Sequence, residues 1–375
     1  MFNRAGWLTI QVAILVCSSS LARASWQLIW SDEFDGSGTD PKWTFDIGNG
    51  NNGWGNWERQ YYTSRTNNVF VADGLLHIVA WKETYGGFPY TSARLKTQGR
   101  FSKTFGRFEF RARLPRGLGF WPALWMLGTN ITSVGWPTCG ELDVMEAKGS
   151  WTNTVQGTIH YADAAGNHTY QTKIYTLPFP GDSITNFHIY AVEWTSNSIK
   201  WIVDGVTVHT WSNWASAAGP FPAPFDHDFF IIMNLAIGGS YLGYPSDSEI
   251  DAGTPFPGVM QVDYVRVYEY ITSAPELPAN LTAAAGNAKV YLSWSGSPGA
   301  TGYKVKRAVT SDGPFTTIGT TGTNSYTDIT VSNCATYFYV VPATNSIGES
   351  PDSAETMVTL GGFALAVNSG GSAVL

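Results

Sequence analysis

Hydrophobic and polar residues alternate with a period of two along several short segments before residue 270. In residues 107–114 every even position is apolar and every odd position carries Arg or Glu. Residues 190–194 and 261–268 also alternate, and residues 229–237 form a run that is apolar except for Asn234. Successive side chains of a strand point to opposite faces, so these patterns predict many short β-strands.

Turn residues separate these segments. Residues 199–208 are typical of a β-hairpin, with Asp204-Gly205 at the turn, and the chain holds 40 Gly and 19 Pro. No long segment carries the apolar stripe of an amphipathic helix. The pattern therefore predicts an all-β domain at residues 25–270, built as a sandwich of two antiparallel sheets.

A second block of strands follows a Pro-punctuated linker at residues 271–276. Residues 277–360 have their own alternating segments, one containing Trp294 and another containing Tyr337. The block resembles a fibronectin type III module, a small β-sandwich with a buried strand Trp and a corner Tyr at these two positions. Cys334 stands at a turn where Gly or a small polar residue is expected. Such modules act as spacers or binding platforms, so we expect no chemistry in this block.

The two ends of the chain have compositions of their own. Arg4, the apolar run at residues 7–17 and the small-x-small triplet at residues 22–24 are typical of a signal peptide cleaved before Ser25. The run is too short to span a bilayer comfortably, although a retained anchor is the alternative. We therefore expect a secreted, extracellular protein. Residues 361–375 are mostly small and predict a flexible tail.

The charge balance excludes several classes of partner. The formal net charge is −7, and aromatic residues, at 14%, are as frequent as charged ones. Nucleic acid and anionic membrane surfaces both need clustered Lys and Arg, so neither is expected to bind. A neutral polymer is compatible with this composition, and we expect the protein to be a monomer.

Three carboxyl side chains stand within six residues, at Glu141, Asp143 and Glu146. In a regular strand the first two share a face, whereas Glu146 has the opposite parity. A β-bulge that adds one residue at Val144-Met145 would return Glu146 to the same face. The residues between the carboxyls are apolar and belong against a core, so the strand would be two-faced. A helix would scatter the carboxyls, and Val144 and the flanking glycines disfavour it.

Such a cluster has the composition that a retaining glycosidase needs. That enzyme holds two carboxyl groups about 5–5.5 Å apart, one ionised to attack the anomeric carbon and one protonated to donate to the leaving oxygen. Crowded like charges raise the pKa of one carboxyl, and an acid between the two can hydrogen-bond the nucleophile. The alternatives are a calcium site or a solvated acidic edge. Calcium prefers acidic ligands spread over loops together with carbonyls and waters.

The residues around the cluster resemble glycoside hydrolase family 16, in its laminarinase-like branch. Residues 140–146 match the bulged Glu-x-Asp-x-x-Glu signature of that family. Further matching segments are residues 30–34, 53–58, 90–94, 120–127, 157–160 and 262–268. The resemblance implies a β-jelly roll of two bent sheets with an open cleft on the concave face. It also implies that Glu141 is the nucleophile, Asp143 the assisting acid and Glu146 the general acid/base.

Eight further residues are expected to hold a sugar chain. Aromatic rings stack on the apolar faces of sugars, and amides or charged groups bond the hydroxyls. The resemblance places three tryptophans along the cleft and two polar residues on a loop at its rim. The expected substrate-binding residues are Asn56, Glu58, Arg94, Trp121, Trp125, Trp136, His160 and Asn234.

For several of these residues a structural role is the alternative. A lone Trp is often a core residue, and His160 could be a satisfied core histidine. Its position next to the catalytic strand favours a contact with Glu146 or a sugar hydroxyl. Asn234 is polar inside an apolar strand, so it needs a hydrogen-bond partner if it is buried.

A structural calcium is a further implication of the resemblance. Many family members bind this ion on the convex side of the jelly roll. Glu33, the carbonyl of Gly74 and Asp263 match those positions, and the chain keeps an oxygen ligand at each. No cofactor is expected for the chemistry itself.

The sequence thus predicts a secreted endo-β-glucanase that cleaves internal β-1,3 links of laminarin-like polysaccharides with retention. One alternative is the same mechanism on mixed-linkage β-1,3-1,4-glucan or on a galactan such as agar or carrageenan. Another is a glucan-binding protein without catalysis, although this chain keeps all three carboxyls of the signature.

Overall fold

The computed structural model describes residues 24–36, 38–39, 41–177 and 181–362. The chain divides into two compact units, one of Trp26–Tyr270 and one that begins at Ile271. The predicted signal peptide lies outside the described residues except for Ala24, and so does the predicted tail from residue 363 onward. Within the described ranges, no helix has the length and apolar character that crossing a bilayer requires.

Strands make up most of the first unit. They are β1 (Ser25–Asp32), β2 (Thr44–Phe45), β3 (Gln60–Tyr62), β4 (Val69–Ala72), β5 (Leu75–Tyr85), β6 (Phe88–Ser92), β7 (Arg94–Lys96), β8 (Gly106–Arg113), β9 (Phe120–Gly128), β10 (Glu141–Glu146), β11 (Thr154–Ala162), β12 (His168–Thr176), β13 (His188–Trp194), β14 (Ile199–Val203), β15 (Val206–Trp211), β16 (Phe229–Ile237) and β17 (Gly258–Ile271). Short helical segments lie between them: a distorted turn at Gly53–Trp57, α1 (Ile131–Val134), a 3-10 turn at Ser240–Leu242 and α2 (Asp247–Gly253).

The described strands of this unit form two main sheets. The first has the order β15-β14-β13-β8-β17-β5-β6-β3, with β1 paired to β17 and β4 paired to β5. The second has the order β12-β11-β10-β9-β16-β7-β2, and its pairs are antiparallel. A parallel pair, β3 with β6, stands at one end of the first sheet. The all-β prediction is confirmed.

The apolar positions of the alternating segments are buried between the sheets. Phe108 and Phe110 of β8 have 0% exposure, and every residue of β16 is buried. The same core includes Leu142 and Met145 of β10. Burial of apolar surface is the main favourable contribution to folding, so it fixes which face of β10 points inward. The opposite face is left free for the carboxyl side chains.

The predicted bulge is present in β10. Opposite β9, Asp143 faces Trp125 and Met145 faces Leu124, so Val144 is the extra residue. The pairing of β10 with β11 is interrupted over the same stretch. An extra residue changes the parity of everything that follows it. The last carboxyl of β10 therefore shares a face with the first two.

An indole from the other sheet supports this bulge. Trp201 of β14 is buried, and its Nε1–H donates to the main-chain carbonyl of Asp143 at 2.9 Å. Gly157 of β11 makes room for that ring, because a Cβ there would lie 2.3 Å from the Trp201 side chain. A bulge disrupts the ladder of main-chain hydrogen bonds, and buried carbonyls need replacement partners. Trp201 supplies one of them.

The second unit has a separate hydrophobic core. Its strands are β18 (Ala279–Gly286), β19 (Lys289–Ser295), β20 (Gly302–Ala308), β21 (Thr316–Thr321), β22 (Ser325–Asp328), β23 (Thr336–Val340), β24 (Ala343–Thr344) and β25 (Thr356–Thr359). They form a sheet β18-β19-β22 and a sheet β21-β20-β23-β25, with β24 on β20.

Three residues singled out in the sequence of this unit have clear structural positions. Trp294 is buried and packs edge-on against Tyr303, with 5.2 Å between ring centroids. The Tyr337 hydroxyl accepts a hydrogen bond from the backbone N–H of Ser332 at 3.0 Å. Cys334 has φ 62°, which explains why glycine is expected at this turn.

Candidate active site

A cleft of about 860 Å³ opens on the second sheet of the first unit, over β9, β10, β11 and β16. The carboxyls of Glu141, Asp143 and Glu146 line its floor. All eight residues expected to bind substrate also line this cleft, namely Asn56, Glu58, Arg94, Trp121, Trp125, Trp136, His160 and Asn234. The structure therefore brings together residues that lie up to 178 positions apart in the sequence.

Each outer carboxyl of the cluster accepts a hydrogen bond from a tryptophan. The Nε1–H of Trp136 donates to Oε2 of Glu141 at 2.9 Å. The Nε1–H of Trp121 donates to Oε1 of Glu146 at 3.0 Å. Sequence reasoning assigned both tryptophans to the sugar chain. The contacts show that their polar ends also orient the carboxyls.

The middle carboxyl has a histidine as its neighbour. Asp143 is 2% exposed, and its Oδ2 lies 3.4 Å from Nε2 of His160. This is an ion-pair distance rather than a short hydrogen bond. The expected contact of His160 with the catalytic strand is present, although it is made to Asp143 and not to Glu146.

Burial and mutual repulsion act together on the carboxyls. Burial, with repulsion from Asp143, raises the pKa of Glu141 to about 7. The same two causes hold the pKa of Glu146 well above its usual range, and His160 opposes the rise in both. Carboxyls this close titrate together, so an observed pKa describes the cluster rather than a single residue. A cluster of this kind keeps one carboxyl protonated near neutral pH while others are ionised.

The charge of the cluster acts in turn on His160. Burial alone would lower its pKa, but the contact with Asp143 and the charges of Glu141 and Glu146 raise the pKa of His160 to about 9. The imidazole is therefore cationic at neutral pH. It offsets part of the negative charge on the cleft floor.

A second group of residues lies on the β16 and β7 side of the cluster. The guanidinium of Arg94 lies between the rings of Trp54 and Trp125, 4.9 Å and 4.8 Å from their centroids. It also forms an ion pair with Asp46 at 3.0 Å. Oδ1 of Asn234 accepts a hydrogen bond from Nε1–H of Trp125 at 2.7 Å. This buried amide therefore has the hydrogen-bond partner that a polar residue in an apolar strand needs.

The rim loop carries Asn56 and brings Glu58 into the cleft wall. Glu58 is 6% exposed and accepts hydrogen bonds from Nε2 of Gln60 at 2.6 Å and from the hydroxyl of Tyr62 at 3.0 Å. Burial raises the pKa of Glu58. Gly53 permits the loop's path, because its φ is 60° and a Cβ there would lie 2.2 Å from the Glu58 main-chain nitrogen.

Several residues of the cleft were missed by sequence reasoning. Tyr241 stacks on Trp121, with 4.8 Å between ring centroids. His168 and Tyr170 of β12 line the cleft beyond His160. The period-two spacing of His168, Tyr170 and Thr172 was an available signal. However, β12 is an edge strand in which no residue is buried, so its apolar pattern is weak.

The three residues matched to calcium lie outside the residues that line this cleft. Glu33 accepts two hydrogen bonds from Arg266, at 3.0 Å and 2.8 Å, and these lower the pKa of Glu33. Asp263 forms an ion pair with Arg111. Gly74 lies in the turn between β4 and β5 with φ 72°. Both carboxylates thus already have cationic partners, and an ion would have to share them with the arginines. The calcium site stays a prediction.

The sequence profile of the family described as "Glycosyl hydrolases family 16" matches residues 56–253. A β-glucanase of Rhodothermus marinus is 44% identical over 270 residues, which cover 66% of this chain and 86% of that protein. A glucan endo-1,3-β-glucosidase A1 of Niallia circulans is 41% identical over 269 residues, and the match spans 38% of its length.

Solved structures give the same picture. The laminarinase catalytic domain of Thermotoga maritima superposes with a TM-score of 0.58 at 42% identity. The superposition covers 66% of this chain and 99% of that domain. The matched profile includes β10 and the bulge, together with most residues that line the cleft.

Proposed function

Because this chain belongs to the glycosyl hydrolases of family 16, we propose that it hydrolyses internal β-1,3-glucosidic bonds of laminarin-like glucans with retention of configuration. As a family member it is a glycoside hydrolase of the endo-1,3-β-glucanase type. The observation that carries the proposal is the bulged strand β10, which presents Glu141, Asp143 and Glu146 to one cleft.

In the first step Glu141 attacks the anomeric carbon while Glu146 transfers its proton to the glycosidic oxygen. The glycosidic C–O bond breaks, and a covalent ester forms between the sugar and Glu141. In the second step the Glu146 carboxylate takes a proton from water. The water oxygen attacks the same carbon and releases Glu141. Two inversions at one carbon give net retention.

The remaining groups tune these two carboxyls. Glu141 must be ionised to attack, and the N–H of Trp136 together with the charge of His160 favours that form. Glu146 must hold a proton, and its burial next to Asp143 favours the neutral form. Both carboxyls face Asp143 and His160 and accept a tryptophan N–H, but the pKa of Glu141 is raised only to about 7, whereas that of Glu146 is held well above its usual range.

The sheet register supports a glucan that crosses the strands. One row of paired positions runs through Trp125, Asp143, Thr158 and Thr172. A chain lying along such a row would meet Trp125 and Arg94 on one side of the carboxyls. On the other side it would meet β11 and β12. Aromatic rings on both sides suit the apolar faces of consecutive glucose units.

The roles of Glu141 and Glu146 can be tested separately. Glu141→Ala should lose laminarin hydrolysis, and azide should restore turnover of an activated aryl glycoside by giving an α-glycosyl azide. Glu146→Ala with azide should instead give the β-glycosyl azide, since azide then replaces water on the covalent intermediate. Glu193→Gln, on the other sheet, serves as the carboxyl control. Activity of Glu141→Ala within about tenfold of the parent would refute the nucleophile assignment.

Two other measurements address retention and linkage. Proton NMR of the first-formed reducing end should show the β-anomer, and an α-anomer would refute retention. A reducing-sugar screen over laminarin, lichenan, carboxymethylcellulose, agarose and xyloglucan should give the highest rate on laminarin. A higher rate on lichenan or agarose would favour mixed-linkage glucan or a galactan. Binding of laminarin without any hydrolysis would favour the glucan-binding alternative.

We also propose that residues 277–360 form a fibronectin type III module without a catalytic role. The buried Trp294 and the Tyr337 hydroxyl bonded to Ser332 support this. Trp294→Ala should lower the melting temperature of one calorimetric transition of the full chain and leave laminarin hydrolysis at the parental rate. Loss of hydrolysis together with that transition would contradict the separate role.

Secretion and a monomeric state complete the proposal. The pattern of Arg4, residues 7–17 and residues 22–24 supports a cleaved signal peptide. N-terminal sequencing of protein recovered from the medium should begin at Ser25. Light scattering coupled to size exclusion should give the mass of one chain. A retained N-terminus or a doubled mass would contradict these two points.

A further inference from the structure

A second imidazole lies directly behind His160. His168, the first residue of β12, has its Nε2 at 2.9 Å from Nδ1 of His160. The other nitrogen of His160 lies 3.4 Å from Oδ2 of Asp143. The two histidines and the aspartate therefore form a chain that runs from the edge strand to the middle carboxyl of the cleft floor.

The hydrogen-bonding capacities of these groups restrict their protonation. A carboxylate oxygen offers only lone pairs, so the 3.4 Å contact with Asp143 favours a proton on Nε2 of His160. Between Nδ1 of His160 and Nε2 of His168 either nitrogen could donate. His160 faces Glu141, Asp143 and Glu146 from β10, and those charges favour a proton on both of its nitrogens. His168 faces that cation and has its pKa lowered, with burial as the larger cause. The neutral acceptor is thus His168.

The position of His168 is held by aromatic neighbours. Its ring lies 4.5 Å from the ring of Trp136 and 5.2 Å from the ring of His160, and the two imidazoles are inclined by 21°. Tyr170 flanks both histidines, with ring centroids 5.6 Å from His160 and 6.0 Å from His168. Trp136 also donates to Glu141, so the same ring that orients the nucleophile supports His168.

We propose that His168 is a positioning residue, which accepts the Nδ1–H of His160 and thereby keeps His160 as a doubly protonated cation aimed at Asp143. The proposal rests on the function assigned above to the cleft. His168 touches none of the three carboxyls through a hydrogen bond of its own among the described residues. It acts through His160.

Removal of the His168 acceptor should shift the pH dependence of kcat/KM in one direction. Without His168 the second proton of His160 loses its partner, so His160 becomes neutral at a lower pH. The cation lowers the pKa of Glu146, and its loss lets Glu146 keep its proton to higher pH. The alkaline limb of the kcat/KM profile should therefore move upward. Leucine removes the acceptor, whereas the side-chain carbonyl of glutamine can replace it.

The test compares H168L, H168Q and the control H77Q, which removes a partly buried histidine from β5 on the other sheet. In H168L the imidazole titration of His160, followed by NMR and assigned by its absence in H160Q, should move to lower pH by about one unit. The alkaline limb on laminarin should rise by about half a unit or more. H168Q should recover both values, and H77Q should change neither.

The two readouts separate the inference from the proposed function. An unchanged His160 titration in H168L would overturn the inference, whatever substrate the cleft takes. A shifted titration with an unmoved pH profile would also overturn it, because His160 would then not act on the carboxyls. Absence of laminarin hydrolysis in the parent would overturn the proposed function. The titration of His160 would still test the histidine pair in that case.

Discussion

The hydrogen bond from Trp121 to Glu146 offers the sharpest quantitative test of the site. Trp121→Phe removes the indole N–H that lies 3.0 Å from Oε1 of Glu146 and keeps an aromatic ring that can stack on Tyr241. The bond favours the ionised carboxylate, so it lowers the pKa of Glu146. Its loss must raise that pKa further. The proton that the mechanism needs on Glu146 would then persist to higher pH.

The magnitude follows from the burial of Glu146, which is 7% exposed, so solvent screens the bond little. A hydrogen bond to a charged group contributes about 1.5–3 kcal/mol. One pKa unit corresponds to about 1.4 kcal/mol, so complete loss of the bond shifts the alkaline limb upward by about one to two units. A water that takes the place of the N–H would bring the shift towards the lower figure.

The assay is the pH dependence of kcat/KM on laminarin, which reports groups of the free enzyme. Trp125→Phe is the matched control, because its N–H donates to Asn234 and to no carboxyl of the cluster. That variant should change KM and leave both limbs in place. An alkaline limb of Trp121→Phe that stays fixed or moves to lower pH would refute the reasoning. So would an equal shift in the control.

Further predictions concern the other partners of the cleft and the calcium site. Trp136→Phe removes the donor to Glu141, whose pKa of about 7 should rise, so the acid limb of kcat/KM should move to higher pH; a fixed limb would contradict this. Asn234→Leu leaves the partly buried Trp125 N–H and the Tyr62 hydroxyl without their amide partner. It should lower the free energy of unfolding in urea by about 1–3 kcal/mol for each unpaired group. An unchanged urea midpoint would show that these two hydrogen bonds do not contribute to stability. Calcium should raise the melting temperature of the parent and not of the double variant Glu33→Gln/Asp263→Asn. Equal shifts in both proteins would exclude calcium binding through these two carboxylates.

Much of the fold could be predicted because apolar and polar residues alternate with a period of two in many of its strands. Strand β8 has apolar residues at every second position, and the structure buries Phe108 and Phe110 completely. The bulge could be predicted for a similar reason, since the apolar residues between the carboxyls fix which face of β10 is inward. Parity then requires an extra residue before Glu146. The prediction rests on the core and needs no knowledge of the partner strands.

Other elements have too weak a pattern to be predicted. Strand β12 is mostly exposed, so no apolar alternation marks it, and His168 was missed with it. Helix α2 has seven residues, too few for an apolar stripe. The capping box of Ser246 and Glu249 was its available signal. Tyr241 lies in a short turn, and only the path of the chain brings it against Trp121. Such contacts depend on tertiary structure that local sequence does not encode.

The bulge in β10 has a consequence for how this site responds to codon deletions during evolution. Asp143 faces Trp125 and Glu146 faces Ala123 on β9. The two acids are three residues apart in β10, but the residues that they face are only two positions apart in β9. Loss of the single codon for Met145 would give Glu146 the parity of a regular strand opposite the same Ala123. The lineage would lose one buried side chain and keep three acids in the cleft. Loss of the codon for Asp143 removes the middle acid itself. By parity alone, deletion of one codon keeps the three acids on one face, whereas deletion of another codon two positions away removes one of them.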